Sequence, residues 1–171
     1  MAVVDALLLH FLNVEIFRGL KPLQITEIAR RAERVVFRPG QALIEHGRTG
    51  NAALLIVSDG AVRTLGPDKT AMSEPIQPGS LIAEMAMLVE AEHTSTVLAQ
   101  APVRAFRITR ESLQAQMLQD PTLAEHFVDK VAARLRRLAD ELKRVDAILA
   151  GLAAHGASDG HPSTAGETIS A

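Results

Sequence analysis

The residues best suited to chemistry lie close together in the middle of the chain, where a carboxylate, an imidazole and hydroxyl groups follow one another. Glu84 comes after a turn and opens a predicted short helix, so its carboxylate either contacts a ligand or stabilises exposed helix N–H groups. His93 is either a protonation-dependent anion ligand or a polar surface residue. Thr94, Ser95 and Thr96 either line a polar pocket or are strand residues. We find no catalytic constellation here.

The positive charge that an anion would need is missing from this part of the sequence. No lysine or arginine occurs between Lys69 and Arg104, whereas acidic residues do, namely Glu74, Glu84, Glu90 and Glu92. The segment is therefore locally acidic. A substitute cation would have to come from elsewhere in the chain, the candidates being Arg48, Arg63, Arg104 and the long C-terminal helix.

Short apolar runs separated by glycine-containing turns predict an antiparallel roll over residues 32–110. The runs are Val35 to Phe37, Ala42 to Ile44, Ala53 to Val57, Ala61 to Leu65, Met72 to Ile76, Thr96 to Ala99 and Val103 to Ile108. Turns are predicted at Arg38 to Gln41, Glu45 to Gly47, Ser58 to Gly60, Gly66 to Asp68 and Gln77 to Gly79.

Helical segments precede and follow the predicted roll. Residues 1–31 are predicted to be helical, with an amphipathic stretch from Val3 to Leu12 and a second helix that begins near Pro22. Residues 111–150 form the C-terminal helices, with Thr109 as an N-cap and Pro121 at the start of a long helix. From Gly151 to the end we predict a mobile tail. The fold class is therefore α+β and mainly β, a jelly-roll-like antiparallel β-roll (double-stranded β-helix) flanked by helices.

The long helix carries apolar residues at alternating steps of three and four, which is an a/d heptad stripe. Its members are Val128, Val131, Leu135, Leu138, Leu142, Val145 and Leu149. The stripe either packs on the roll of the same chain or forms a homodimer interface, and we favour the homodimer. Basic residues on this helix alternate with acidic ones, which is typical of a solvated face and not of a nucleic-acid-binding surface.

One segment resembles a known family. Gly79-Ser80-Leu81-Ile82-Ala83-Glu84-Met85-Ala86-Met87-Leu88, followed after four residues by His93-Thr94-Ser95-Thr96-Val97, is similar to the phosphate-binding cassette of cyclic-nucleotide-binding domains. That cassette reads approximately Gly-Asp-x-Phe-Gly-Glu-x-Ala-Leu-Leu and then Arg-x-Ala-Thr-Val. The helix, roll, helix order is also similar over about residues 15–150. The resemblance implies a regulatory domain that senses a cyclic nucleotide.

The resemblance also implies a ligand-binding set within residues 79–97. Its members are Ala83, Glu84, Met85, Ala86, His93, Thr94 and Ser95. In the family the glutamate accepts a hydrogen bond from the ribose hydroxyl, which Glu84 matches, and backbone N–H groups that correspond to Ala86 and Thr94 hold the phosphate. The candidate ligands are cAMP, cGMP or another cyclic nucleotide.

Two departures from the family pattern fall on these contacts. His93 replaces the arginine that neutralises the phosphate, and Ala83 replaces a glycine. An imidazole with an ordinary pKa of about 6.5 is mostly neutral at pH 7, so binding is predicted to be weakened roughly 10- to 100-fold. Ala83 is unfavourable if the glycine adopts a positive φ.

Composition excludes several other classes. The chain has no cysteine, a net charge of −2 and no basic N-terminal region before an apolar run, so disulfides, thiolate metal sites, a signal peptide and a membrane span are not expected. No His-x-His pair or phosphate loop is present. We predict a cytoplasmic, non-enzymatic sensor without a cofactor, a homodimer with an unidentified protein partner and no direct DNA binding. The alternative is a dimeric interaction scaffold that binds no small ligand.

Overall fold

The computed structural model describes residues 8–64 and 73–156. The helices are α1 (described over residues 8–12), α2 (Pro22–Arg31), α3 (Arg110–Gln119) and α4 (Pro121–Gly156), with 3-10 helices at Glu15–Phe17 and Glu84–Met87. The strands are β1 (Glu33–Phe37), β2 (Ala42–Ile44), β3 (Thr49–Gly50), β4 (Ala52–Ile56), β5 (Ala61–Thr64), β6 (Ser73–Ile76), β7 (Leu81–Ile82), β8 (Ala91–Glu92), β9 (Thr96–Ala99) and β10 (Val103–Thr109).

Among residues 8–64 and 73–156, ten antiparallel strands form three sheets, which confirms the predicted α+β roll. The first sheet has the order β1-β10-β4-β7, the second sheet β2-β9-β5-β6, and β3 pairs with β8 alone. The seven predicted apolar runs coincide with the seven longer strands to within a few residues, although Leu65 and Met72 lie outside the described residues. The two-residue strands β3, β7 and β8 were not predicted from sequence.

The first sheet is covered on both faces because its strands alternate between two clusters of buried side chains. Ala53 and Leu55 of β4 belong to a helix-side core together with residues of the helices, such as Phe17. Leu54 and Ile56 point the other way, into the roll core that fills the space between the two large sheets. Successive residues of a strand point to opposite faces of the sheet. Because both faces of this sheet are covered, β4 is a continuous run of buried apolar residues.

Helix boundaries follow the predicted capping chemistry. Pro22 occupies the first turn of α2, where its missing N–H costs nothing. Thr109 caps α3, since its Oγ1 accepts a hydrogen bond from the Ser112 N–H (3.2 Å). Between α3 and α4, hydrogen bonds from Thr122 and Gln24 lower the pKa of Asp120. These contacts tie α2 to the start of α4.

The C-terminal part of the chain differs from the prediction in one respect. Helix α4 continues through Gly151 and ends at Gly156, so the structure moves the helix end beyond the predicted Ala150. A single glycine costs a helix only about 1 kcal/mol and did not stop this one. The remainder of the predicted tail, residues 157–171, lies outside the described residues, as do residues 1–7 of the predicted first helix.

Candidate functional site

The segment from β7 to β9 is held in place by strand pairing on both sides. β7 is held by β4, with Leu54 paired to Ile82, and the chain then turns into the 3-10 helix Glu84–Met87. Met87 anchors that helix because its side chain is fully buried in the helix-side core. The following strand, β8, pairs with β3. Non-local pairing on both sides therefore fixes the loop.

Ala83 holds a strained backbone conformation at the start of this loop. Its φ is 55° and its ψ is 36°, and it is the only residue other than glycine with a positive φ in the described part of the chain. This left-handed conformation costs an L-residue roughly 1 to 2 kcal/mol. The chain thus keeps the turn that suits a glycine although it carries an alanine.

Relieving that strain should stabilise the protein. Ala83→Gly is expected to raise the free energy of unfolding by about 0.5 to 1 kcal/mol. The backbone strain energy that it removes is larger than the additional entropic cost of ordering a glycine on folding. Urea denaturation measures the change as a higher midpoint at constant slope. The control, Ala91→Gly in β8, should instead lose stability. A similar loss of stability in Ala83→Gly would show that the Ala83 backbone is not strained.

The predicted ligand contacts of the 3-10 helix differ in how accessible they are. Glu84 is half-buried at the first position of the helix, and Met85 is half-buried beside it. Ala86 is buried, and its N–H donates to the Ala83 carbonyl (3.0 Å), so this predicted phosphate donor already has an acceptor. Thr94 is exposed. The role of each residue in ligand binding stays a prediction.

His93 is fixed by its backbone and packs against two small residues. Its N–H donates to the Arg48 carbonyl (2.9 Å), and its own carbonyl accepts from the Gly47 N–H (2.8 Å). The imidazole lies so close to Gly50 that a Cβ there would be 2.7 Å from Nε2, closer still to Cε1, and 2.9 Å from the Ala86 Cβ. The ring therefore occupies space that only a glycine leaves free.

Burial also changes the chemistry of this imidazole. Desolvation lowers the pKa of His93 below 6.5, because removal of water disfavours the charged form. At neutral pH the ring is therefore mainly neutral, and in that state it supplies no positive charge to an anion.

His93 also borders a cavity of about 510 Å³ that is lined mainly by residues of β1 to β4 and the turns between them. Apolar side chains of the roll, including Phe37, Ile44 and Leu54, form much of its lining, and polar residues such as Arg48 and Arg107 contribute as well. Of the predicted ligand residues, only His93 is among those that line this cavity. Sequence reasoning missed Arg107 as a residue that lines this cavity. The available signal was the two-residue spacing of β10, which places Arg107 on the same strand face as Val103 and Ala105 of the roll core.

The predicted substitute cations Arg48, Arg63 and Arg104, and the cavity residue Arg107, differ in their surroundings. Arg48 is 77% exposed and forms an ion pair with Glu45 (2.7 Å). Arg107 is paired with Glu33 (2.9 Å) and also donates to Asn51 (2.9 Å), whereas Arg104 is exposed. Arg63 differs from them, because its Nε is buried and has no hydrogen-bond partner among the described residues.

The apolar stripe of α4 is exposed in the isolated chain. Leu135, Leu138, Leu142, Val145 and Leu149 are each about half exposed or more, up to 66% for Leu142. Leu152, 65% exposed, extends the stripe beyond its predicted end. Such a row of exposed leucines is unusual for a helix whose surroundings are complete.

Membrane-spanning helices and metal-binding clusters of side chains are absent from residues 8–64 and 73–156. No helix in these ranges has the length and apolarity to cross a membrane. The same ranges contain no group of three or more His, Cys, Asp or Glu side chains placed to hold a metal ion.

Several known proteins are similar to this chain in sequence. The family model described as the cyclic nucleotide-binding domain matches residues 34–120, about half of the chain. The CRP-like cAMP-activated global transcriptional regulator of Mycobacterium tuberculosis is 25% identical over 130 residues, covering 74% of this chain and 58% of the regulator. Acetyltransferase Pat of Mycolicibacterium smegmatis is 33% identical over 123 residues, covering 71% and 37%. The chain thus spans less than two thirds of either relative.

Solved structures share the fold. The N-terminal domain of a transcriptional regulator from Streptomyces coelicolor aligns with a TM-score of 0.67 and 22% identity, covering 79% of this chain and 94% of that domain. At this level of identity the likeness concerns the fold alone.

Proposed function

Since the chain belongs to the cyclic nucleotide-binding domain family, we propose that it is a non-enzymatic regulatory domain that binds a cyclic nucleotide weakly at the segment Ala83–Ser95. The observation that carries this proposal is the conformation of Ala83. A left-handed residue other than glycine persists only where the surrounding structure imposes it, and such strain clusters at ligand sites. The loop keeps its shape despite the unfavourable alanine.

The proposed binding is weak because the charge on the loop is wrong for a phosphate. A fixed guanidinium at position 93 would hold phosphate oxygens through two parallel hydrogen bonds, whereas burial keeps the His93 imidazole neutral at pH 7. Glu84, Glu90 and Glu92 add negative charge nearby in sequence. The proposed role of Glu84 is to accept a hydrogen bond from the ribose hydroxyl, as the family resemblance implies.

Calorimetry tests the proposed function directly. Titration with cAMP, cGMP and cyclic dinucleotides should produce heat of binding for at least one of them at about pH 6 or about pH 8. If none of them binds at either pH, the sensor function is wrong.

Protonation of His93 should strengthen anion binding. Because the pKa of His93 lies below 6.5, the imidazole gains its proton only as the pH falls below that value, and affinity for the ligand that binds best should rise in the same range. His93→Gln should abolish this rise. An unchanged pH profile in that variant would assign the titration to another group.

Placing the family's arginine at position 93 should increase nucleotide affinity most at high pH. His93→Arg is expected to increase affinity roughly 10- to 100-fold at about pH 8, where the histidine is neutral and the arginine remains charged. Calorimetry with the same nucleotide measures the change, with Arg104→Lys as an exposed control. No gain in His93→Arg would remove position 93 from the ligand contacts.

The second candidate function is a dimeric interaction scaffold without a small ligand. The neutral His93 and the absence of lysine and arginine from residues 79–97 favour it. Mass spectrometry of the denatured protein distinguishes the two functions, since a nucleotide that copurifies with the chain excludes the scaffold.

Both candidate functions use α4 as a homodimer interface. The exposed stripe from Leu135 to Leu149 supports this part of the proposal, because each leucine would leave water on pairing with a second copy. In the sensor, ligand binding at the loop would shift this helix and with it the dimer interface or the contact with a protein partner.

A further inference from the structure

Arg63 is an arginine whose surroundings differ from those of an ordinary surface cation. It lies within β5, is half-buried, and its Nε is buried without a hydrogen-bond partner among the described residues. Glu74 of β6 is paired with Arg63 in the sheet register, yet no ion pair joins Arg63 to Glu74 or to any other carboxylate in the described part of the chain. A buried donor of a charged group that lacks an acceptor is costly, so this arrangement calls for an acceptor.

The register of the second sheet shows which way Arg63 points. It lies directly opposite Val97 of β9, and Ala61, two residues earlier on the same strand, lies opposite Ala99. Residues paired in this way project from the same face of a sheet. Because Ala61, Val97 and Ala99 all belong to the roll core, Arg63 is on the inward face of its strand.

The paired strand leads directly to the predicted ligand segment. Ser95 directly precedes Thr96, which is paired with Thr64, the neighbour of Arg63. Ile82, which directly precedes Ala83, packs in the same roll core as Val97. Arg63 therefore approaches the segment from the opposite strand, a direction that its sequence position does not suggest.

We propose that Arg63 supplies the positive charge for the ligand's phosphate that the segment itself lacks, with its Nε–H donating to a phosphate oxygen. This inference rests on the proposed function for its ligand, a nucleotide with an anionic phosphate. It makes Arg63 a ligand contact in place of the arginine that His93 replaced. The site then holds an anion by a guanidinium from β5 and takes further charge from His93 only when that ring is protonated.

Affinity for cAMP tests the inference. In calorimetry Arg63→Met should bind cAMP roughly 10- to 100-fold more weakly than the natural chain, because charge-assisted hydrogen bonds are lost. The matched control Arg104→Met removes an exposed arginine and should leave affinity unchanged. Arg63→Lys keeps the charge without the planar fork and should fall between the two. If Arg63→Met binds as tightly as the natural chain, the inference is wrong while the proposed function stands.

Thermal unfolding with inorganic phosphate provides a test that does not need a cyclic nucleotide. Phosphate should raise the melting temperature of the natural chain and raise that of Arg63→Met less. In phosphate-free buffer Arg63→Met should be no less stable than the natural chain, since it removes a buried donor without an acceptor. If no cyclic nucleotide binds but phosphate stabilises through Arg63, the proposed function fails and the anion site remains. An equal phosphate effect in both proteins, or none, overturns the inference.

Discussion

Gly50→Val is expected to destabilise the folded protein by about 3 kcal/mol or more, the upper range of overpacking in a dense interior. Gly50 is buried in β3, and a Cβ there would come within 2.7 Å of the His93 Nε2 and within 2.9 Å of the Ala86 Cβ. The imidazole is the end of a side chain and can move, whereas Ala86 belongs to the anchored 3-10 helix. Valine adds further atoms to the same space, so the strand and the helix would have to separate.

Denaturant unfolding measures this cost, and Gly151→Val is the control. A Cβ at Gly151 meets nothing within 4 Å, so the same substitution there should change stability only slightly. An equally small change in Gly50→Val would show that β3 and the 3-10 helix are not in close contact.

A double-mutant cycle separates the contribution of the imidazole. Gly50→Ala should cost about 1 to 3 kcal/mol alone and clearly less in a His93→Ala background, because the two nearest contacts of the new Cβ are then removed. The destabilisation that remains in the His93→Ala background reflects the contact between the new Cβ and the Ala86 Cβ. Strictly additive free energies would mean that the ring does not pack on Gly50, since groups in contact normally couple by about 0.5 to 3 kcal/mol.

Leu135→Lys combined with Leu142→Lys is expected to convert the proposed homodimer into monomers. Both leucines lie on the apolar stripe of α4 and are exposed in the isolated chain, 61% and 66%. In a symmetric dimer the two substitutions remove four leucines from the interface. Since each buried leucine contributes about 1.5 to 3 kcal/mol, the dissociation constant should rise at least about 1000-fold.

Sedimentation over a range of protein concentrations measures this change. The matched control is Ala147→Lys combined with Ala154→Lys, which adds the same charges at exposed positions on the face opposite the stripe. The control should remain dimeric at concentrations where the leucine variant is monomeric. If the natural chain is monomeric at every concentration, or if both variants dissociate equally, the stripe is not the dimer interface.

Local sequence signals were sufficient for most of the architecture. The strands from β4 to β6 and β10 follow apolar runs of a few residues, and the starts of α2 and α4 follow Pro22 and Pro121. Each of these signals acts over one turn or one strand, so it can be recognised without knowing the partners. The end of α4 was missed because Gly151 weakens a helix without stopping it.

The sequence by itself determined that a carboxylate and an imidazole share one loop and that this loop has no lysine or arginine. Residue type and spacing alone carry that information. Tertiary structure decided which way a distant side chain points and which residue packs on that loop. The register of β5 against β9 turns Arg63 inward, and the pairing of β3 with β8 brings Gly50 against His93. Such approaches depend on strands far apart in the chain, and burial sets the protonation of an imidazole only after those strands have met.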